Sequence, residues 1–205
     1  MVSSTHFFDV LHDIDPHLTH HFGIGWIKGL DMEETARRLG ADLSHSATVR
    51  LAEAYRDADN DPAWGPYSSI YLLGEAEEGE GEWTICMQVQ GWRLIEDDTL
   101  ARLSRDGGQV FALTFYNDHM PTFHHSENGA PPQSEDMFEA ERFFPEHTKG
   151  LRLISPVGAD LENYDEMSAL ISEGFVLAGR VTGEPITDAW LRMYHERYIV
   201  AHDSP

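Results

Sequence analysis

The chain reads as an α+β domain: N-terminal helices, an antiparallel sheet of about five strands with a short helical insertion, and two C-terminal helices. Three observations lead there. Apolar residues recur at helical spacing through the first 60 residues, switch to alternation after Gly65, and return to helical spacing after residue 160. No fixed-period repeat and no linker divides the 205 residues, so a single domain is expected over 1–205, helical in 1–60, sheet in 66–145 and helical again in 155–200. Hydrophobic residues make up 41% and aromatics 11%, enough core material to exclude a disordered chain despite a net charge of -22.

From His17 onward, Leu18, Phe22 and Trp26 recur every four residues and predict a first helix, kinked or closely packed at Gly23 and Gly25. Asp31 with Glu34 forms a capping box and Gly40 a stop, which sets a helix over 32–39. Ser44 or Ser46 caps another helix carrying Val49, Leu51, Ala52 and Tyr55, and it dissolves in the turn-rich Asp57 to Pro66. Residues 67–73 and 83–90 are rich in β-branched and aromatic side chains, with Trp83, Ile85, Met87 and Val89 alternating with Thr84, Cys86, Gln88 and Gln90. These are the strands of a hairpin. Asp97 or Asp98 caps a short helix through Leu100 and Leu103, stopped at Gly107 and Gly108. Gln109 to Tyr116 and Met120 to His125 are strands, Asn128-Gly129 is a turn, and Phe138 to Phe144 is a fifth strand. Residues 161–173 form a helix ending at Gly174, and Ile186 through Arg197 form the last one.

The opening Trp26-Ile27-Lys28-Gly29-Leu30-Asp31, with Glu34 and Arg37-Arg38-Leu39-Gly40-Ala41-Asp42, resembles that of an actinobacterial family catalogued only as a domain of unknown function. Glu82-Trp83-Thr84 with Gly91, the helix end Leu103-Ser104-Arg105, the Val110 to Asn117 strand, Phe123 and Asn128-Gly129 carry the likeness onward. Together these segments cover about half of the chain, and the likeness departs at the acidic Pro131-Pro132 segment. The resemblance implies an α+β fold, core roles for Trp26 and Trp83 and a helix stop at Gly40, gives no assigned catalytic residue to carry over, and leaves function open.

Function is read mainly from charge. Asp and Glu number 36 against 14 Lys and Arg, an excess that repels phosphate backbones and anionic lipid and excludes direct nucleic-acid or membrane binding. A basic partner is favoured. Apolar stretches such as Ile70 to Leu73 fall far short of the ~18 residues of a membrane span. Residues 1–15 do not read as a secretory signal, and the lone Cys86 cannot close an intramolecular disulfide, so a cytoplasmic location is expected. The acids bunch at Asp57, Asp59 and Asp61; at Glu75, Glu77, Glu78, Glu80 and Glu82; at Glu96, Asp97 and Asp98; and from Glu135 through Glu146. With Trp64, Tyr67 and Trp92 as apolar anchors, the first three groups form the candidate partner-binding surface.

Catalytic readings are thinner. There is no Gly-x-Ser-x-Gly elbow and no Gly-x-x-x-x-Gly-Lys loop, and Cys86 lies mid-strand with no adjacent base, so no catalytic residue and no cofactor is assigned. His17, His20 and His21 at helical spacing, and Asp118, His119, His124 and His125 around a strand connection, lack an evident third ligand with a general base. No metal is therefore assigned to either group. The sequence points to a non-enzymatic binding module that neutralises a basic toxin or nucleic-acid-binding enzyme, as an immunity protein or antitoxin does. A nucleic-acid mimic that inhibits a DNA-binding enzyme and a His-dependent metal hydrolase are the alternatives.

Overall fold

A computed structural model describes residues 6–55, 64–65, 68–76, 82–116, 119–153 and 164–201. Its centre is an eight-stranded, antiparallel sheet: β1 (His21–Lys28), β2 (Ser46–Arg50), β3 (Ser69–Glu75), β4 (Trp83–Gln90), β5 (Gln109–Tyr116), β6 (His119–Glu127), β7 (Gln133–Asp136) and β8 (Tyr194–Val200). They lie side by side in the order β2-β8-β3-β4-β1-β5-β6-β7. Helices α1 (His6–Ile14), α4 (Ala140–Phe143), α5 (Tyr164–Thr182) and α6 (Asp188–Arg192) belong to one face, and α2 (Met32–Leu39) and α3 (Asp97–Leu103) to the other. The class is α+β as expected, with eight strands among the described residues where about five were counted.

Both faces being covered explains the burial along β4. Trp83, Ile85, Met87 and Val89 enter the larger core with α5 and α6, while Cys86 joins the smaller core under α2 and α3. Burial pushes the Cys86 thiol well above its ordinary range, which suits packing and not nucleophilic attack. The predicted hairpin of β3 and β4, the two strands β5 and β6, and the turn after β6 are all present. Asn128 and Gly129 both take positive φ (51° and 75°), with the Ala130 N–H donating to the Glu127 carbonyl. Helix α2 begins and ends where its sequence says: the Asp31 carboxylate accepts from the Glu34 N–H at 2.7 Å, and Gly40 closes the helix at φ 88°.

Five expectations are corrected. The segment around Phe22 and Trp26 is the strand β1, not a helix, because a spacing of four fits a period of two as well as a period near 3.6. Phe22, Ile24 and Trp26 face the larger core, and Gly23 and Gly25 lie opposite, against Leu94. Ser46–Arg50 is likewise an edge strand followed by a 3-10 turn, since Thr48 and Val49 pair with Glu196 and His195 of β8. Phe138 to Phe144 is helical, a 3-10 turn leading into α4, which sets Phe143 and Phe144 edge-on against Phe123 at 5.5 and 5.3 Å. Helix α5 runs through Gly174 to Thr182. A Cβ at Gly174 would sit 3.3 Å from Met137 and 3.4 Å from Leu113 and Phe115, so the glycine there permits a close approach to the sheet and is no stop. Finally, only Asp188–Arg192 is helical near the C-terminal end, capped by the Thr187 hydroxyl accepting from the Trp190 N–H at 3.0 Å. Tyr194–Val200 is β8, inserted between β2 and β3. The early and late segments thus contribute strands to the same sheet as residues 66–145.

Candidate functional site

At one end of the sheet β1 begins while β4 and β5 finish, and the antiparallel register brings His21 opposite Tyr116. Beyond β4 the chain reverses at Gly91 (φ 86°) and presents Trp92 at the start of a 3-10 turn. Buried Gln88 fastens this reversal. Its Nε2 donates to the Gln90 carbonyl at 2.9 Å, and its Oε1 accepts from the Leu94 N–H at 2.8 Å. The His21 Nε2 lies 3.3 Å from the Gly91 carbonyl. The rings of His21, Trp92 and Tyr116 then form a compact trio, with centroids 4.7, 4.4 and 4.6 Å apart.

Within the trio the burial is unequal. Trp92 is 54% exposed and Tyr116 only 7%. The Tyr116 hydroxyl is buried without a hydrogen-bond partner among the described residues, and burial pushes its pKa up to about 12. Tyr55 and Tyr194 are the other exposed large apolar side chains among the described residues. Tyr55 donates its hydroxyl to the Val89 carbonyl at 2.9 Å, and Tyr194 carries the Arg50 guanidinium 4.9 Å above its ring. No cation lies over Trp92 among the described residues.

Glu96, Asp97 and Asp98 follow this turn and are all exposed. Glu96, not Asp97 or Asp98, is the N-cap residue of α3: its carbonyl accepts from the Thr99 and Leu100 N–H groups, and no side-chain cap forms. Asp97 and Asp98 lie in the first turn, where their charge complements the helix dipole by about 0.3–1 kcal/mol. Glu75 is exposed at the opposite end of the sheet, since it pairs with Thr84 while Ile70 pairs with Gln90. Five strand steps place the two ends about 17 Å apart along β3. Trp64 is half-buried against the larger core, so Trp92 is the more exposed of the two rings. Asp57, Asp59, Asp61, Glu77, Glu78 and Glu80 lie outside the described residues, as does Tyr67.

The histidine groups are dispersed. His17 lies in a 3-10 turn and His21 in β1, so the shared helical face that would bring them to one ion does not form. His124 and His125 point to opposite faces of β6, as alternation requires. The first hydrogen-bonds Thr114 at 3.1 Å and Ser134 at 2.8 Å, and the second sits edge-on to Phe144. His119 pairs opposite Tyr116 and His124 opposite Ala112, five residues further along β6. Among the described residues no three His, Cys, Asp or Glu side chains gather to hold a metal. None of the helices among them is long and apolar enough to cross a membrane.

Sequence reasoning missed two polar groups. His195 is 2% exposed between Trp190 and Gly74, and neither ring nitrogen has a hydrogen-bond partner among the described residues. Burial holds its pKa down at about 4. The Trp190 backbone, the lesser cause, pulls it upward. The second is the Tyr116 hydroxyl. Only the pairing of β1 with β5 sets it beside His21, and a helix through residue 21 hides that pairing.

No curated protein and no solved structure matches the chain significantly. A family model, described as a family of unknown function (DUF6461), matches residues 6–202, nearly all of the chain where the sequence likeness reached about half. The match takes in the sheet, the described helices and the aromatic trio, and the chain belongs to that family.

Proposed function

We propose that the protein is a non-enzymatic, acidic binding module that docks a basic protein partner at the Trp92 end of its sheet, as an immunity protein or antitoxin docks a basic toxin. The observation that carries this is Trp92 itself: a half-exposed indole on a fastened turn, followed by three exposed carboxylates at Glu96, Asp97 and Asp98. An ordered aromatic anchor beside acids is suited to a basic surface, because the ring supplies buried contact area and the carboxylates steer encounter. The net charge of -22 draws such a partner from a distance. The alternative, a nucleic-acid mimic, would need carboxylates spaced along a duplex-like track.

The test is affinity capture from the native host at low and at high salt, with wild type, Trp92→Ala, and the triple variant Glu96→Lys, Asp97→Lys, Asp98→Lys. A basic protein retained by wild type, reduced at least tenfold by either variant and released by salt is the expected result. Retention of the same partner by both variants would move the interface elsewhere. Recovery of no basic partner under either condition would remove the reading.

A further inference from the structure

We propose that Ser134 is a nucleophilic serine and a site of covalent modification, taking up an acyl group from an uncharged ester with His124 as its base. This inference is independent of the docking surface and adds a reactive position on the β7 edge of the sheet.

Three neighbouring strands build the site. β5, β6 and β7 carry Thr114, His124 and Ser134, whose side chains form a relay: the Ser134 Oγ lies 2.8 Å from the His124 Nδ1, and the His124 Nε2 lies 3.1 Å from the Thr114 Oγ1. The contacts fix the tautomer. Thr114 has one hydroxyl proton and donates it to the Thr122 carbonyl at 3.5 Å, so toward His124 it accepts. Nε2 then carries the ring proton, and Nδ1 offers its lone pair to the Ser134 O–H. Burial is divided as a reactive serine needs, with His124 only 6% exposed and Ser134 open to solvent. Among the described residues no strand lies beyond β7, so an ester reaches Ser134 along an open edge. Burial holds the His124 pKa at about 4, which keeps the imidazole uncharged at neutral pH. A base that weak suits a slow, single acylation more than turnover.

Ser44 shows what this arrangement adds. It is also exposed and lies 3.2 Å from the His45 Nδ1, but its hydroxyl donates to the Asp42 Oδ1 at 2.7 Å, and that same Nδ1 faces the Asp42 Oδ2 at 2.8 Å. No ring lone pair is left for the Ser44 proton. Charge selects the donor at Ser134: Glu135 and Asp136 follow it directly on a chain of net charge -22, which repels phosphoryl and other anionic donors and leaves an uncharged carbonyl unopposed. In the step, the Ser134 Oγ bonds to the ester carbonyl carbon while its proton passes to the His124 Nδ1. The bond from that carbon to the alcohol oxygen breaks, and the leaving alkoxide takes the proton from Nδ1, giving O-acyl-Ser134 and the free alcohol.

The experiment is incubation of the intact protein with p-nitrophenyl acetate near neutral pH, with the rate of acetylation at each residue read by peptide mass mapping. Ser134 is expected to be acetylated at least about tenfold faster than Ser44, and His124→Gln should slow Ser134 by a similar factor while leaving Ser44 unchanged. An unaltered melting temperature confirms that the variant keeps its fold. Should His124→Gln lower the melting temperature, the Ser134 to Ser44 ratio in wild type alone decides. Acetylation of Ser134 no faster than that of Ser44, or a fast Ser134 unaffected by His124→Gln in a folded variant, overturns the proposal.

Discussion

His195 shows what a single buried side chain does to the whole chain's response to pH. Its folded pKa of about 4 lies below the ordinary histidine value near 6.5, so the unfolded chain takes up a proton that the folded chain refuses. Stability from this group is complete above about pH 6.5 and is lost as pH falls from there through about 4, a change on the order of 2 to 3 kcal/mol. His124, also held near 4 by burial, adds a loss of the same sign. Denaturant unfolding at pH 7 and pH 4.5 should therefore show a steep acid loss in wild type and about half of it in His195→Leu. The same variant should unfold at higher denaturant at pH 7, since it removes two buried nitrogens that lack partners among the described residues and retains an apolar contact with Trp190. A lower midpoint at pH 7 would mean that the imidazole makes a bond worth more than its desolvation.

At the scale of elements, close approach overrides propensity. Gly179 lies inside α5, where alanine would ordinarily gain about 1 kcal/mol, yet a Cβ there would stand 2.9 Å from the Pro185 Cα. That neighbour is backbone and cannot swing away. Gly179→Ala is expected to lower stability by about 1–3 kcal/mol, read as a fall in melting temperature, and a rise would show that the Gly183 to Pro185 turn yields freely. The same competition between local and distant forces decides which elements the sequence discloses. Helix α2, the β3–β4 hairpin, β5 and the Asn128-Gly129 turn carry their instructions locally, in caps, alternation and turn chemistry. Strands β1, β2 and β8 do not. Phe22 and Trp26 satisfy either period, and Tyr194 to Val200 is a strand because β2 and β3 flank it, more than 100 residues away in the chain. Trp92 and Glu96 to Asp98 were visible as residue types, but their grouping with His21 and Tyr116 depends on a strand register that no local pattern contains.

For the molecule as a whole, charge and topology set the limits. A net charge of -22 on 205 residues pushes the compact state apart, whereas ion pairs such as Lys28–Glu82 and Arg192–Asp188 are solvent-exposed and worth little. Raising sodium chloride from 20 to about 500 mM should therefore raise the melting temperature by a few degrees, because screening relieves more repulsion than attraction. A fall on adding salt would show that the ion pairs dominate. The sheet order also bears on how the chain reaches this state. With β8 seated between β2 and β3, the amide edges of both earlier strands stay bare until a segment made some 120 to 150 residues later arrives to join them. During synthesis, the ribosome releases a half-built sheet whose open β3 flank, Ser69 to Glu75, is nearly all buried in the finished protein. Chaperone capture and aggregation of the nascent chain should centre on that flank and end when the C-terminal strand emerges.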